Sequence, residues 1–131
     1  MNNSKAHQKL VDDILFALGS QPHIRVWPRH VGLAVPFARL KKWLATRLGL
    51  MPRPIHYGIV GETDIQGIVS VERFIDGKKI GVMLAIEVKT GTGRLNTDQE
   101  KWKAMILKFG GIYVEARSVE DALTAVNNLS K

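Results

Sequence analysis

Three charged residues near the middle of the chain combine types and spacing that could act on a phosphate ester. Glu87 and Lys89 close an otherwise apolar run, Ile80-Gly81-Val82-Met83-Leu84-Ala85-Ile86, and residues two apart on a strand point to the same face. Asp64 stands directly before a second apolar, β-branched run, Ile65 to Val71. Two carboxylates supply hard oxygen ligands for Mg²⁺ or Mn²⁺. A cation so held polarises a phosphoryl oxygen and lowers the pKa of a bound water. A lysine beside it orients that water or stabilises charge developing on the phosphate. The plainer reading of Glu87 and Lys89 is a surface ion pair at a strand end, because Glu-x-Lys is a common tripeptide. Against it stands the cost of keeping such charges in an apolar strand without a role.

The flanking elements decide whether the three can meet. Asp76-Gly77 is a hairpin signal between the two runs. Counting outward from that turn sets Asp64 opposite the Glu87–Lys89 end. The run from Ile80 to Lys89 reads as a central strand buried on both faces. Upstream, His7, Leu10, Val11, Ile14, Leu15 and Leu18 share one helical face, which Gly19 ends. Ile24 to Trp27 has strand character, interrupted by Pro28. A basic helix is predicted over Phe37–Leu48, with Arg39, Lys41, Lys42 and Arg47 around a stripe of Phe37, Leu40, Leu44 and Leu48. Pro52 and Pro54 block its continuation. Downstream, Thr97-Asp98-Gln99-Glu100 has the form of a capping box, which starts a helix near Thr97. Trp102, Met105, Ile106 and Phe109 would be its buried stripe, and Gly110-Gly111 its stop. Ile112–Ala116 is a short strand. Ser118 caps a last helix with Ala122, Leu123, Val126 and Leu129 inward. This order predicts an α/β fold, a mixed central sheet flanked by helices. With no repeat and no linker, residues 1–131 read as one domain.

Composition narrows the class. Hydrophobic residues make up 45% and charged residues 24% of 131, as in a folded globular domain. No apolar run approaches the ~18 residues of a membrane span. The N-terminus lacks the apolar stretch of a signal peptide, and there is no cysteine for disulfides or thiolate metal sites. The expected location is the cytoplasm, with no membrane partner. The net charge is +7, and between Ile14 and Gly61 there are seven Lys/Arg and no Asp/Glu. Such a balance favours a polyanionic partner, nucleic acid above all.

With the motifs laid out, the chain resembles a known family. Gly61-Glu62-Thr63-Asp64-Ile65-Gln66-Gly67, then Ala85-Ile86-Glu87-Val88-Lys89, then Gln99 in the following helix, is similar to the VRR-NUC domain. Gly110-Gly111-Ile112-Tyr113-Val114 resembles that family's next strand. The likeness runs from about Ala6 to Leu123. VRR-NUC domains are a branch of the PD-(D/E)xK nucleases, found alone in phages and fused to larger repair nucleases. The resemblance implies a restriction-endonuclease-like core and Mg²⁺- or Mn²⁺-dependent hydrolysis of phosphodiester bonds. It implies Asp64, Glu87 and the Val88 carbonyl as metal ligands, and Lys89 and Gln99 as active-site partners. Stand-alone members are similar to Holliday-junction resolvases and act as homodimers, which implies branched DNA as substrate.

One position departs from the pattern. The family usually carries a glutamate on its first helix, facing the site, and the corresponding residue here is His7. Imidazole is a weaker ligand for a hard cation, and the plain reading of His7 is a first-turn residue packing on the core. Arg94, in the glycine-bearing stretch after Lys89, is a candidate phosphate contact. Arg39, Lys41 and Lys42 are candidates for tracking a DNA arm, although charge runs are more often solvated faces. Glu62 reads as an exposed turn acid, with a secondary ligand role as the alternative. Trp43, Leu50 and Met51 leave apolar material for a dimer interface, or close the monomer's own core. The competing classes are a non-catalytic nucleic-acid-binding protein retaining the fold, favoured by His7, and a protein adaptor using the Phe37–Leu48 helix.

Overall fold

The apolar residues at helical spacing near the N-terminus form α1 (Asn3–Gly19), whose inward face is Val11, Ile14 and Leu18, with Leu10 and Leu15 half-buried beside them. The computed structural model describes residues 3–29, 32–34, 47–49, 55–73 and 75–129. In chain order, α1 is followed by β1 (Ile24–Pro28), β2 (Gly32–Ala34), β3 (Ile55–Tyr57), β4 (Ile65–Glu72), β5 (Lys79–Val88), α2 (Thr97–Lys108), β6 (Ile112–Ala116) and α3 (Val119–Asn127).

The chain divides into two compact units, Met1–Arg29 with Gly61–Lys131, and His30–Val60. In the second, β2 and β3 form an antiparallel pair in the register Gly32–Tyr57, Leu33–His56 and Ala34–Ile55. The helix expected over Phe37–Leu48 lies outside the described residues apart from Arg47 and Leu48. Arg39, Lys41, Lys42, Trp43, Leu50 and Met51 lie outside them too.

The first unit is built on a four-stranded mixed sheet in the order β1-β4-β5-β6. β4 runs antiparallel to β1 and β5, and β6 runs parallel to β5. Pro28 ends β1 rather than interrupting it, which an edge strand tolerates because one side needs no ladder hydrogen bond. The β4–β5 hairpin turns at Asp76-Gly77 as expected. Gly77 takes a left-handed φ of 67° and donates to the Arg73 carbonyl at 2.8 Å.

One face of the sheet carries the main core. Ile24, Ile65, Val69, Leu84, Ile86, Val88, Val114 and Ala116 meet α1 and the Ala122 and Val126 face of α3. By strand alternation, Met83, Ala85 and Glu87 point the other way, toward α2, where Ile106 is buried near Met83. β5 is central but not buried along its whole length, and Ile80 and Met83 remain 43% and 38% exposed. Strand and helix lengths explain the difference. Ten strand residues run about 33 Å and the twelve residues of α2 about 18 Å. The helix covers only the end of β5 that carries Glu87. Phe109 also departs from expectation, at 79% exposed. It is the C-cap of α2, with non-helical dihedrals, so the helical spacing no longer aims it inward. None of the described helices is long and apolar enough to cross a membrane.

Candidate active site

The β4–β5 register pairs Ile65 with Ile86, and one further step sets Asp64 opposite Glu87. Asp64 is held from several sides. Its carbonyl accepts from the Arg29 backbone N–H at 2.8 Å, and the Arg29 guanidinium donates to the Glu62 carbonyl. The fully buried Thr63 donates its hydroxyl to the Ile65 carbonyl at 3.1 Å. The Asp64 carboxylate reaches across the hairpin, where Oδ2 accepts from the Val88 N–H at 3.0 Å. From α1, His7 Nε2 stands 3.0 Å from the Val88 carbonyl oxygen and 3.3 Å from Asp64 Oδ2.

Glu87, Lys89 and Gln99 form the other half. The cap of α2 is Asn96, one residue before the predicted Thr97. The Asn96 side chain accepts from the Gln99 N–H at 2.9 Å, and Gln99 Oε1 accepts from the Asn96 N–H at 3.0 Å. This reciprocal box satisfies two orphan donors of the first turn and also fixes the Gln99 side chain. So fixed, Gln99 Oε1 accepts from Lys89 Nζ at 2.9 Å, and Gln99 Nε2 donates to Glu87 Oε1 at 2.5 Å. Lys89 Nζ lies 3.0 Å from the same Glu87 oxygen. Glu87 is 3% exposed, and its second oxygen, Oε2, is buried with no hydrogen-bond partner among the described residues.

Burial raises the Glu87 pKa above the ordinary glutamate value, and the negative charge of Asp64 adds to the effect. The hydrogen bond and charge of Lys89, with the charge of Arg29, pull it down without cancelling the rise. In cation-free protein, the native state therefore holds a proton over a pH range where the unfolded chain has lost it. Stability from this group is full below the ordinary glutamate value and is lost as pH rises through the raised one. Glu87→Gln removes the dependence. Melting temperatures in EDTA from pH 4 to 8 should show the variant gaining on the wild type as pH rises. A gap that stays constant with pH would contradict the assignment.

Other residues hold this frame in ways that their place in the sequence does not reveal. Gly61 has φ +84°, and a Cβ built on it would lie 2.4 Å from the Asp98 carbonyl oxygen. This close approach sets the segment leading to Asp64 against the first turn of α2, which carries Gln99. Gly61→Ala is expected to cost at least ~1–3 kcal/mol from the left-handed backbone alone, with the contact to Asp98 adding to it. A urea midpoint equal to wild type would refute that close approach. Arg117, just after β6, donates to the Gly91 and Gly93 carbonyls at 2.8 and 2.7 Å, tying down the loop between Lys89 and Asn96. Tyr113 lies near Glu87. Burial, then the charges of Glu87 and Glu115, push its phenol far above its ordinary value, and its hydroxyl has no hydrogen-bond partner among the described residues. The sequence placed the capping box one residue late, at Thr97 to Glu100, whereas the box in the structure is Asn96 with Gln99. Nothing in the sequence marks Arg117 or the Gly61 contact, because both are long-range approaches to backbone.

The structure thus brings together His7, Asp64, Glu87, Val88, Lys89 and Gln99. Arg94 is exposed in the loop after Lys89. The carboxylate of half-buried Glu62 accepts from Gln66. Among the described residues, no three His, Cys, Asp or Glu side chains stand together as a ready ligand set. The His7 imidazole, one Asp64 carboxylate oxygen and the Val88 carbonyl lie close together, with Glu87 on the neighbouring strand opposite Asp64. The orphaned Glu87 Oε2 and the Asp64 carboxylate are oxygen donors of the type that a hard divalent cation takes. Compared with known proteins, the chain matches no family model, no curated protein and no solved structure.

Proposed function

We propose that this chain is a Mg²⁺- or Mn²⁺-dependent DNA endonuclease of the VRR-NUC type, with a restriction-endonuclease-like core. The observation that carries the reading is Glu87, a carboxylate 3% exposed, fastened to Lys89 and Gln99 and backed by Asp64 at one end of a mixed sheet. Such a charge is costly to bury, and perturbed carboxylates cluster at functional sites. Asp64, Glu87 and the Val88 carbonyl would hold the cation. When bound, it supplies a Lewis acid for the phosphoryl oxygen and a water of lowered pKa. Lys89 Nζ, fixed by Gln99, directs its protons at the attacking water or at the oxygen on which charge develops. A two-fold dimer would place two such sites on the equivalent strands of a branched DNA. The exposed apolar pair of Ile68 and Met83, cross-strand neighbours on one sheet face, offers area for association.

The test is incubation with four-way, flap and linear duplex DNA, with and without Mg²⁺ or Mn²⁺. Cation-dependent cutting, strongest on the four-way junction, is the expected result. Sedimentation should find a dimer at micromolar concentration, and a monomer that stays monomeric on junction DNA would favour single-strand nicking. That no three ligand side chains stand ready among the described residues favours a second reading, a non-catalytic nucleic-acid-binding protein. Tight binding with no cutting under any cation would establish it.

A further inference from the structure

We infer that Arg29 is a substrate contact, whose guanidinium grips the phosphate next to the scissile one on the cleaved strand of DNA. The inference rests on the nuclease reading of Asp64, Glu87 and Lys89 and goes beyond it by assigning a neighbouring phosphate. One step past the last β1–β4 and β4–β5 pairs, Arg29, Asp64 and Glu87 stand in a row across three strands. The Arg29 backbone N–H donates to the Asp64 carbonyl at 2.8 Å. That bond needs no side chain, so it keeps the residue beside Asp64 whatever the guanidinium does. The half-buried side chain donates through Nη1 to the Glu62 carbonyl, which fixes it on the segment leading to Asp64. Its charge is felt at Glu87, where it favours the carboxylate.

A guanidinium carries five N–H donors in a rigid fork. Arg29 uses Nη1 on the Glu62 carbonyl, and it enters none of the ion pairs among the described residues. Neither site carboxylate pairs with it. Asp64 accepts from the Val88 N–H beside His7, and Glu87 is held by Lys89 and Gln99. A positive fork with donors to spare suits an anion that takes two parallel hydrogen bonds, as a phosphodiester does. Lys89 and Arg29 flank the carboxylates from opposite sides. Lys89 follows β5 and is pinned to Gln99 of α2, whereas Arg29 follows β1 and is pinned to Glu62, with β4 between. Two steps of the ~4.8 Å strand spacing set their backbones about 10 Å apart. Held apart in this way, the two cations serve different groups. With Lys89 at the scissile phosphate, Arg29 takes its neighbour.

The experiment is single-turnover cleavage of the DNA form cut best, with an uncharged methylphosphonate replacing one phosphate at a time on either side of the cut. The wild type should be sensitive at one neighbouring position. Neutralising it should raise the half-saturating protein concentration by about tenfold or more, the scale of a charge-assisted hydrogen-bond pair. Arg29→Gln keeps a donor for the Glu62 carbonyl while removing the charge and the fork, and melting curves will verify its fold. It should lose the same factor on ordinary DNA and lose nothing further when that phosphate is neutralised. Arg29→Lys, which restores the charge without the fork, should recover part of the sensitivity. A residue that only props the segment at Glu62 would leave the phosphate sensitivity in place. Equal sensitivity in Arg29→Gln and the wild type therefore overturns the contact and leaves the nuclease reading standing, as does a wild type indifferent at every neighbouring phosphate. Where Arg29→Gln fails to fold, Arg29→Lys decides, and full wild-type sensitivity in it overturns the forked contact. A wild type that cuts no DNA with Mg²⁺ or Mn²⁺ overturns both.

Discussion

Asp64→Asn and Glu87→Gln should each lower cation-dependent DNA cleavage by more than the ~10²–10³-fold typical of losing one electrostatic contact, while DNA affinity changes little. Each substitution removes one unit of ligand charge and almost no surface. The two sit on neighbouring strands in direct register, so neither can be replaced by a nearby acid without moving the hairpin. Glu62, the nearest acid in sequence, is already engaged by Gln66. Lys89→Ala should lose ~10²–10³-fold, because on the proposed reading its ammonium acts where charge develops. Gln99→Ala should fall between these variants and the wild type. It leaves the ligands in place but frees Lys89 and Glu87 from the amide that fixes both. Single-turnover cleavage on a four-way junction, with filter binding in parallel, reads both quantities. Undiminished cutting by both carboxylate variants would remove the site assignment. A wild-type rate for Lys89→Ala would make it only a strand-end ion pair.

How much of this arrangement could be read from sequence depends on whether the controlling contact is local. That Asp64 faces the Glu87–Lys89 end was legible because a short turn near Asp76-Gly77 limits the pairing, but counting outward from those two residues sets Asp64 opposite Lys89, and the longer turn of the structure shifts it to Glu87. The α1 core face was legible from helical spacing, since Val11, Ile14 and Leu18 pack as their positions dictate. The position of Gln99 on the first turn of α2 was legible too, although the cap is Asn96 rather than Thr97. What the sequence hides are approaches to backbone from far along the chain: Arg117 on the Gly91 and Gly93 carbonyls, and Asp98 against Gly61. Hydropathy also overstates burial. The run that begins at Ile80 looks uniformly interior, yet its first half outruns the helix that covers the rest. The composition of a strand says what it tolerates, and the lengths of its neighbours decide what is covered.

DNA affinity should fall by ~10³-fold or more between 50 and 200 mM salt if about six or more phosphates are contacted, because each neutralised phosphate releases condensed counterions. The charge distribution motivates this expectation. The chain carries +7 overall, and the stretch from Ile14 to Gly61 contains seven Lys/Arg with no acid among them. The acids lie outside that stretch, and a bound cation would offset the two at the proposed site, so the net charge offered to a polyanion would remain positive. On the proposed reading, the candidate binding charges and the candidate cutting charges fall in separate stretches of sequence, so they can be tested separately. Reversing Arg39, Lys41 and Lys42 to glutamate should weaken binding to all DNA forms alike. It should also flatten the salt slope by ~0.9 for each phosphate that is no longer neutralised. Cation preference should stay as in the wild type, because none of the three belongs to the Asp64–Glu87 set. Binding isotherms on linear and four-way DNA across a salt series, repeated for the triple variant, give the slope directly. A slope near zero in the wild type would argue against nucleic acid as the partner. A steep slope unchanged by the reversal would move the phosphate-binding role to other basic residues, with Arg94 the next to replace.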